Sequence, residues 1–239
     1  MTSEACGQFL PALSRASGLR LEAYRPEHVR KRILVALEQE RLSSPAALVR
    51  LLGGDEQARS RFRRAIAISV SGLFRDEAQF ELLERTLLPP LLAKRRRISV
   101  WSAGCADGSE LYSVAIVLER LGALERALLL GSDILEENLA AARHGVYGPV
   151  EIPARIRAAA RWERRDLLAA DMPPSGWTLV LCRNVAIYLG PRERAGLYEK
   201  LAASLARGGI LLLGRAERMA APASLGLELV APHAYTRTG

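Results

Sequence analysis

Along the first third of the chain the apolar positions recur three and four residues apart, the spacing of one buried helical face. In "RPEHVRKRILVALEQERL", Val29, Ile33, Ala36 and Leu37 form such a stripe, and Pro26 suits the first helical position, where its missing N–H costs nothing. "SSPAALVRLL" restarts a helix behind Ser43 or Ser44 as cap, Gly53 and Gly54 stop it, and "DEQARSRFRRAIAI" begins another. "DEAQFELLERTLLPPLLAKRRR" reads as a linking helix interrupted at Pro89 and Pro90.

From Ile98 the period changes. Short β-rich runs alternate with helical stretches: "ISVWSAG", then "SELYSVAIVLERLG" ending at Gly122; "ALLLGSD", then "LEENLAAARHG" ending at Gly145. The later strands are "ARWERRD", "WTLVLCRN" and "GGILLLG", with the helix "PRERAGLYEKLAASLARG" between the last two. "LELVA" and "AYTR" close the chain as an antiparallel hairpin. Such alternation predicts an α/β fold built on a doubly wound, mostly parallel sheet. The predicted division is a helical domain over 1–75, a linking helix over 76–97 and an α/β domain over 98–239.

Composition adds limits. With 239 residues, 49% hydrophobic, the chain can bury a full core. Its longest apolar runs fall far short of a membrane span, and no charged-then-apolar leader opens it, so the cytoplasm is the expected compartment. The three cysteines form no CxxC pair, which argues for reduced thiols and against a zinc cluster; no metal is expected. Charge is uneven. Residues 1–75 carry 13 Lys and Arg against 7 Asp and Glu, whereas the remainder is nearly balanced. This basic module faces an acidic partner or is simply a solvated surface.

The strand tips hold the candidate chemistry. In "VWSAGCADGSELYSVA", Gly104 and Gly108 mark a tight turn from strand to helix. Their G-x-x-x-G spacing is neither a dinucleotide fingerprint nor a P-loop, which disfavours phosphate binding. The turn serves packing alone or a ligand that approaches the backbone. Asp133 ends the second strand, where a carboxylate accepts hydrogen bonds from both hydroxyls of a ribose or caps the next helix. Asp166 and Asn184 end two further strands. Together these positions favour an adenosine-containing ligand, and without phosphate chemistry they point to S-adenosylmethionine.

"SVSGLFRDEAQFELL", "ISVWSAGCADGSELYSVAIVL", "LGSDILEENLAAARHGVY", "LVLCRNVAIYL" and "GGILLLGRAE", in that order, resemble the CheR family of chemotaxis-receptor glutamate methyltransferases. The resemblance covers nearly the whole chain. It implies a Rossmann-like methyltransferase fold with a seven-stranded sheet behind an all-helical N-terminal domain. It also implies S-adenosylmethionine as methyl donor, S-adenosylhomocysteine as product and the cytoplasmic helical region of a chemoreceptor as substrate. Carried over, Ser69, Ser71 and Arg75 fall where the family contacts the cofactor and the catalytic site. Gly104, Gly108, Ser109 and Glu110 fall on the cofactor loop, Asp133 on the ribose, Asp166 with Leu167 on the adenosine, and Asn184 with Val185 on further cofactor contacts. Tyr188 matches a tyrosine near the transferred methyl and joins Arg75 as a catalytic candidate. Arg75 and Tyr188 otherwise serve only to bridge and to pack.

A glutamate carboxylate, with an ordinary pKa of about 4.3, is ionised at neutral pH, so transfer needs alignment rather than a general base. The chain departs from the family in having Ser109 where an acid is usual. The missing charge-assisted hydrogen bond, worth about 1.5–3 kcal/mol, predicts weaker cofactor binding. Only 18 residues separate Tyr147 from Asp166, where the family inserts a small β-subdomain that some members use to grasp a receptor tail. Such a tether is therefore not expected, and docking falls to His28, Arg30, Lys31 and Arg32. A monomer without membrane insertion or nucleic-acid binding is expected. Two alternatives stand beside this reading: a cofactor-binding regulatory protein without turnover, favoured by Ser109, and a nucleic-acid methyltransferase, suggested by the basic N-terminus.

Overall fold

The computed structural model describes residues 3–67, 71–169 and 172–239, the side chains of residues 3–6 excepted. They divide into two compact units: Met1–Ser69 with Tyr188–Arg194, and Val70–Ile187 with Ala195–Gly239.

The first unit is built on helices α1 (Ser3–Ser17), α2 (Pro26–Gln39), α3 (Pro45–Gly54) and α4 (Glu56–Ala67). The stripe read from the sequence is the buried face of α2: Val29, Ile33, Ala36 and Leu37 meet a core that includes Leu13, Leu48, Leu52, Phe62 and Ile66. Ser44 is the cap of α3, its hydroxyl accepting from the Ala47 N–H at 3.3 Å. The unit also recruits a piece of the later chain. Tyr24 bridges Leu189, the Arg25 N–H donates to the Tyr188 carbonyl at 2.9 Å, and the Gly190 N–H donates to that of Ala23 at 2.9 Å. These backbone bonds give segment 188–194 to the helical unit, a long-range pairing that no local pattern announces.

In the second unit the expected break at Pro89 and Pro90 is absent. Helix α5 (Glu77–Leu82) continues through a π-helical stretch over Leu83–Leu87 into α6 (Leu88–Lys94). Widening the turn shifts the hydrogen-bond register, and both prolines then fall in the first turn of α6, where no intrahelical N–H is required. Phe80, Leu83, Leu87, Leu88 and Leu91 join the core of this unit, so the helix is part of the α/β body and not a link.

The chain then forms β1 (Ile98–Ala103), α7 (Ser109–Arg120), β2 (Ala127–Asp133) and α8 (Glu136–His144). A ribbon of two-residue strands, β3 (Val146–Tyr147) and β4 (Val150–Glu151), and the short α9 (Ala154–Ala159) precede β5 (Ala160–Arg164). This ribbon stands where the family's β-subdomain was expected to be missing. There follow β6 (Trp177–Cys182), α10 (Pro191–Ser204), β7 (Leu205–Leu213), β8 (Leu227–Ala231) and β9 (Ala234–Arg237). The seven-stranded sheet has the order β5-β2-β1-β6-β7-β9-β8, parallel as far as β7 and antiparallel in its last two pairings.

Helix α10 stops four residues before its predicted end, because Leu205 already pairs with Trp177 and the register shifts between Trp177 and Leu179. Gly209 makes the irregularity possible, since a Cβ there would lie 2.6 Å from the Trp177 carbonyl oxygen. Every residue of β6 is buried, as expected of a strand covered on both faces. Parallel pairing brings the carboxyl ends of β1, β2, β5 and β6 to one edge of the sheet, the side on which doubly wound sheets bind ligands.

Candidate functional site

At that edge the strand tips enclose a small cleft lined by three segments. Ser71, Gly72 and Arg75 come from the loop before α5; Gly104, Cys105, Ala106, Ser109 and Glu110 come from the turn into α7; Arg183 and Asn184 follow β6. Its volume is about 40 Å³, too small for a whole nucleoside. Of the residues singled out in the sequence, six thus meet: Ser71, Arg75, Gly104, Ser109, Glu110 and Asn184. Ser69 lies outside the described residues.

The cleft is held by strained backbone. Among the described non-glycine residues with positive φ, Phe74 (54°), Asp76 (62°), Ala106 (49°) and Asn184 (61°) all sit in or beside the three lining segments. Such conformations cost of order 1–3 kcal/mol each and persist where surroundings over-determine them. The two glycines answer to packing first. At Gly104, φ is +77° and a Cβ would come within 2.6 Å of Val185 Cγ2. At Gly108, φ is +84° and a Cβ would meet Trp162 at 2.6 Å and Ala142 at 2.7 Å. Leu167 lies 3.7 Å from the same point at Gly104, so Leu167 and Val185 close over the turn with their side chains.

Asp133 ties the second strand tip to this turn. One carboxylate oxygen accepts from the Leu135 N–H at 2.9 Å and the Asn138 amide at 3.0 Å; the other accepts from the Ala106 N–H at 3.0 Å. Three of about four acceptor positions are therefore filled by the protein, leaving about one for a donor from outside it. Burial pushes this carboxyl above the usual range, against the pull of those donors. Leu135, not Asp133, is the N-cap of α8. Asp166 follows β5 and accepts from the Leu168 N–H at 2.8 Å in a local turn.

The charge in the cleft centres on Arg183. Its guanidinium donates to Gln79 at 2.8 Å, Glu110 at 3.1 Å, Asp76 at 3.0 Å and the Arg75 carbonyl at 2.7 Å, and it lies over the Phe80 ring at 5.2 Å. Only 3% of its side chain is exposed. Glu110 is further fixed by the Ser102 hydroxyl at 2.7 Å. Both helix positions at the start of α7, Ser109 and Glu110, line the cleft. Ser109 is 1% exposed, and its hydroxyl has no hydrogen-bond partner among the described residues. A polar atom left so at a cleft wall calls for a ligand or a water.

A second carboxylate, Glu217, holds the Asn184 turn. It accepts from the backbone N–H groups of Asn184 (2.7 Å), Val185 (3.1 Å), Ala186 (2.8 Å) and Gly214 (2.8 Å). Burial raises its pKa although these donors oppose the shift. Neither Arg183 nor Glu217 was singled out from the sequence. A lone charge ending the apolar run "WTLVLC" was a signal for Arg183; "GRAE" carries none for Glu217.

In the first unit, His28 donates through Nε2 to the Ile66 carbonyl at 2.8 Å, and its ring lies 5.9 Å from that of Tyr24 and 4.9 Å from that of Tyr188. Burial lowers its pKa, with Arg32 acting in the same sense. His28 is thus a packed, neutral-leaning ring and no surface cation, and Tyr188 is its packing partner. Arg30 and Lys31 are exposed and Arg32 is half-buried. Arg30 and Lys31 also line a groove of about 630 Å³ beside α2 that includes Leu10, Leu21, Val29 and Ile33. Among the described residues no three metal-ligating side chains cluster, and no helix is long and apolar enough to cross a membrane.

A mostly parallel seven-stranded sheet with a glycine turn after β1 and an acid at the tip of β2 defines a Rossmann-like α/β fold. Residues 69–154 and 148–228 match the CheR methyltransferase SAM-binding domain. The chain is 30% identical over 252 residues to the chemotaxis protein methyltransferase of Listeria monocytogenes and 31% identical to that of Listeria innocua, with 96% of each chain covered in both cases. It is 27% identical over 221 residues to chemotaxis protein methyltransferase 1 of Vibrio cholerae, covering 80% of both. The chain belongs to the CheR methyltransferase family, and S-adenosylmethionine is its cofactor.

Proposed function

We propose that the protein transfers the methyl group of S-adenosylmethionine to glutamate side chains in the cytoplasmic helical region of a chemoreceptor. The observation that carries this reading is the buried, unpartnered Ser109 hydroxyl in a cleft shared with Arg75, Glu110 and Asn184, within a chain that matches chemotaxis methyltransferases over almost its whole length. In this reading the cleft receives the amino-acid head of the cofactor. Arg75 pairs with a carboxylate, that of the head group or of the substrate, and Ser109 hydrogen-bonds the head group. The adenosyl part lies outward along the strand tips, with one ribose hydroxyl on Asp133 and the base near Asp166 and Leu167.

The bound cofactor supplies an activated sulfonium methyl. The protein's task is to hold the acceptor oxygen in line with it and to exclude water, because the acceptor carboxylate is already ionised. Docking falls to the basic face of α2 through Arg30 and Lys31. Incubating the protein with methyl-labelled cofactor and chemoreceptor-bearing membranes tests the reading. Label in base-labile esters on receptor glutamates supports it; label absent from receptor protein refutes it.

One observation favours a second reading. Among the described residues that line the cleft, the one carboxylate, Glu110, is already paired with Arg183, and Ser109 offers a neutral group where the family has an acid. A cofactor-binding regulatory protein without turnover fits this arrangement. Binding of S-adenosylhomocysteine without transfer to any receptor selects it.

A further inference from the structure

Glu217 takes no part in the chemistry proposed above, yet the residue is 3% exposed and its carboxylate gathers four backbone N–H groups at 2.7–3.1 Å. Three of them belong to consecutive residues, Asn184, Val185 and Ala186, and the first of these has φ of +61°. Asparagine tolerates that conformation better than most residues but is not at rest in it. Without an acceptor beneath it, the turn would bury three unsatisfied donors and lose what fixes its shape. The backbone that carries this side chain is held as well, since the His233 ring donates through Nδ1 to the Glu217 main-chain carbonyl at 2.9 Å.

Asn184 lines the cleft, and Val185 covers Gly104 at the point where a Cβ would be 2.6 Å away. The acceptor under the turn therefore sets two walls of the cleft at once. We infer that Glu217 is a positioning residue for the cofactor: its carboxylate, touching no ligand, holds the Asn184–Ala186 turn in the one shape that binds S-adenosylmethionine. This rests on the reading that the cleft receives that molecule.

The chemistry of the residue is specific. Two oxygens, each with two lone pairs, match four donors; glutamine keeps the shape but turns one acceptor into a donor facing N–H groups. Gly214 offers a second route to the same loss. A Cβ there would stand 2.7 Å from Glu217 Oε2 and 2.8 Å from the Asn184 nitrogen, so Gly214→Ala drives the carboxylate off its donors while leaving it in the chain.

Calorimetric titration of S-adenosylhomocysteine into wild type, Glu217→Gln, Gly214→Ala, Asn184→Gly and Leu201→Ala, each with its thermal midpoint measured, tests the inference. Leu201 is a buried residue of α10 outside the cleft lining and controls for plain loss of stability. The expected result is at least a tenfold rise in Kd for Glu217→Gln, the same direction for Gly214→Ala, and a Kd within twofold of wild type for Leu201→Ala. Affinity kept by Glu217→Gln and Gly214→Ala but lost by Asn184→Gly overturns the inference and leaves the site reading standing. Affinity kept by all three overturns both. An affinity that merely tracks the thermal midpoint, Leu201→Ala included, overturns the inference as well. If Glu217→Gln does not fold, Gly214→Ala decides alone.

Discussion

Arg183 ties together the three segments that line the cleft. It is the shared partner of Asp76 and Glu110 and also holds the Arg75 carbonyl, so Arg183→Ala takes a buried cation from two partly buried carboxylates, of which Asp76 keeps the exposed Arg215 at 3.8 Å. Breaking a buried pair by deleting one member costs about 3–5 kcal/mol, and urea unfolding of Arg183→Ala is expected to show a loss of that order. Ser109 is milder. A neutral hydrogen bond contributes about 0.5–1.5 kcal/mol, so Ser109→Ala is expected to weaken S-adenosylhomocysteine about two- to tenfold by calorimetry while leaving the fold intact. His28 carries a pH signature. Its pKa is lowered in the folded protein, so the unfolded chain binds more protons below its ordinary value of about 6.5, and stability is lost as pH falls through that value. His28→Gln is expected to flatten this part of the unfolding free energy against pH. At this scale local order was enough to locate Asn184 just after β6 and Gly108 just before α7, and the family resemblance added Ser109. Glu217 and Asp76 stayed hidden because their roles are made by chain segments more than thirty residues away or more than a hundred.

Among the elements, the strand-to-helix turn of residues 104–108 is the most constrained. Gly104→Ala must carry both a positive φ and a contact of 2.6 Å with Val185, and its expected cost is about 2 kcal/mol or more. Val185→Ala in that background is expected to restore the steric part only, which a double-mutant cycle in urea measures. The glycine spacing thus has a complete explanation in packing. Strands and helices of the second unit were legible because alternation, buried runs and terminal glycines act within a few residues, as at Gly145, which closes α8 with φ of +67°. The π-helical stretch before Pro89 and the early start of β7 were not. Each trades a local preference for a tertiary one: the first buries Leu83 and Leu87, and the second pairs Leu205 with Trp177.

For the whole molecule, the excess of positive charge in residues 1–75 and the exposed Arg30 and Lys31 of α2 suit an acidic helical substrate. Reversing both charges is expected to slow methyl transfer to receptor about tenfold at low salt and less at high salt, since exposed charges are screened. The affinity for S-adenosylhomocysteine is expected to stay within twofold of wild type. The two-unit organisation was only partly visible in the sequence, because segment 188–194 joins the helices through backbone pairing with residues 23–25. The central claim is that the cleft between the tips of β1 and β6 seats the amino-acid head of S-adenosylmethionine. A crystal structure of the protein with S-adenosylhomocysteine measures this directly. The expected result places the head group within hydrogen-bond distance of the Ser109 hydroxyl and the ribose on Asp133; a head group outside this cleft, with Ser109 still unpartnered, would contradict it.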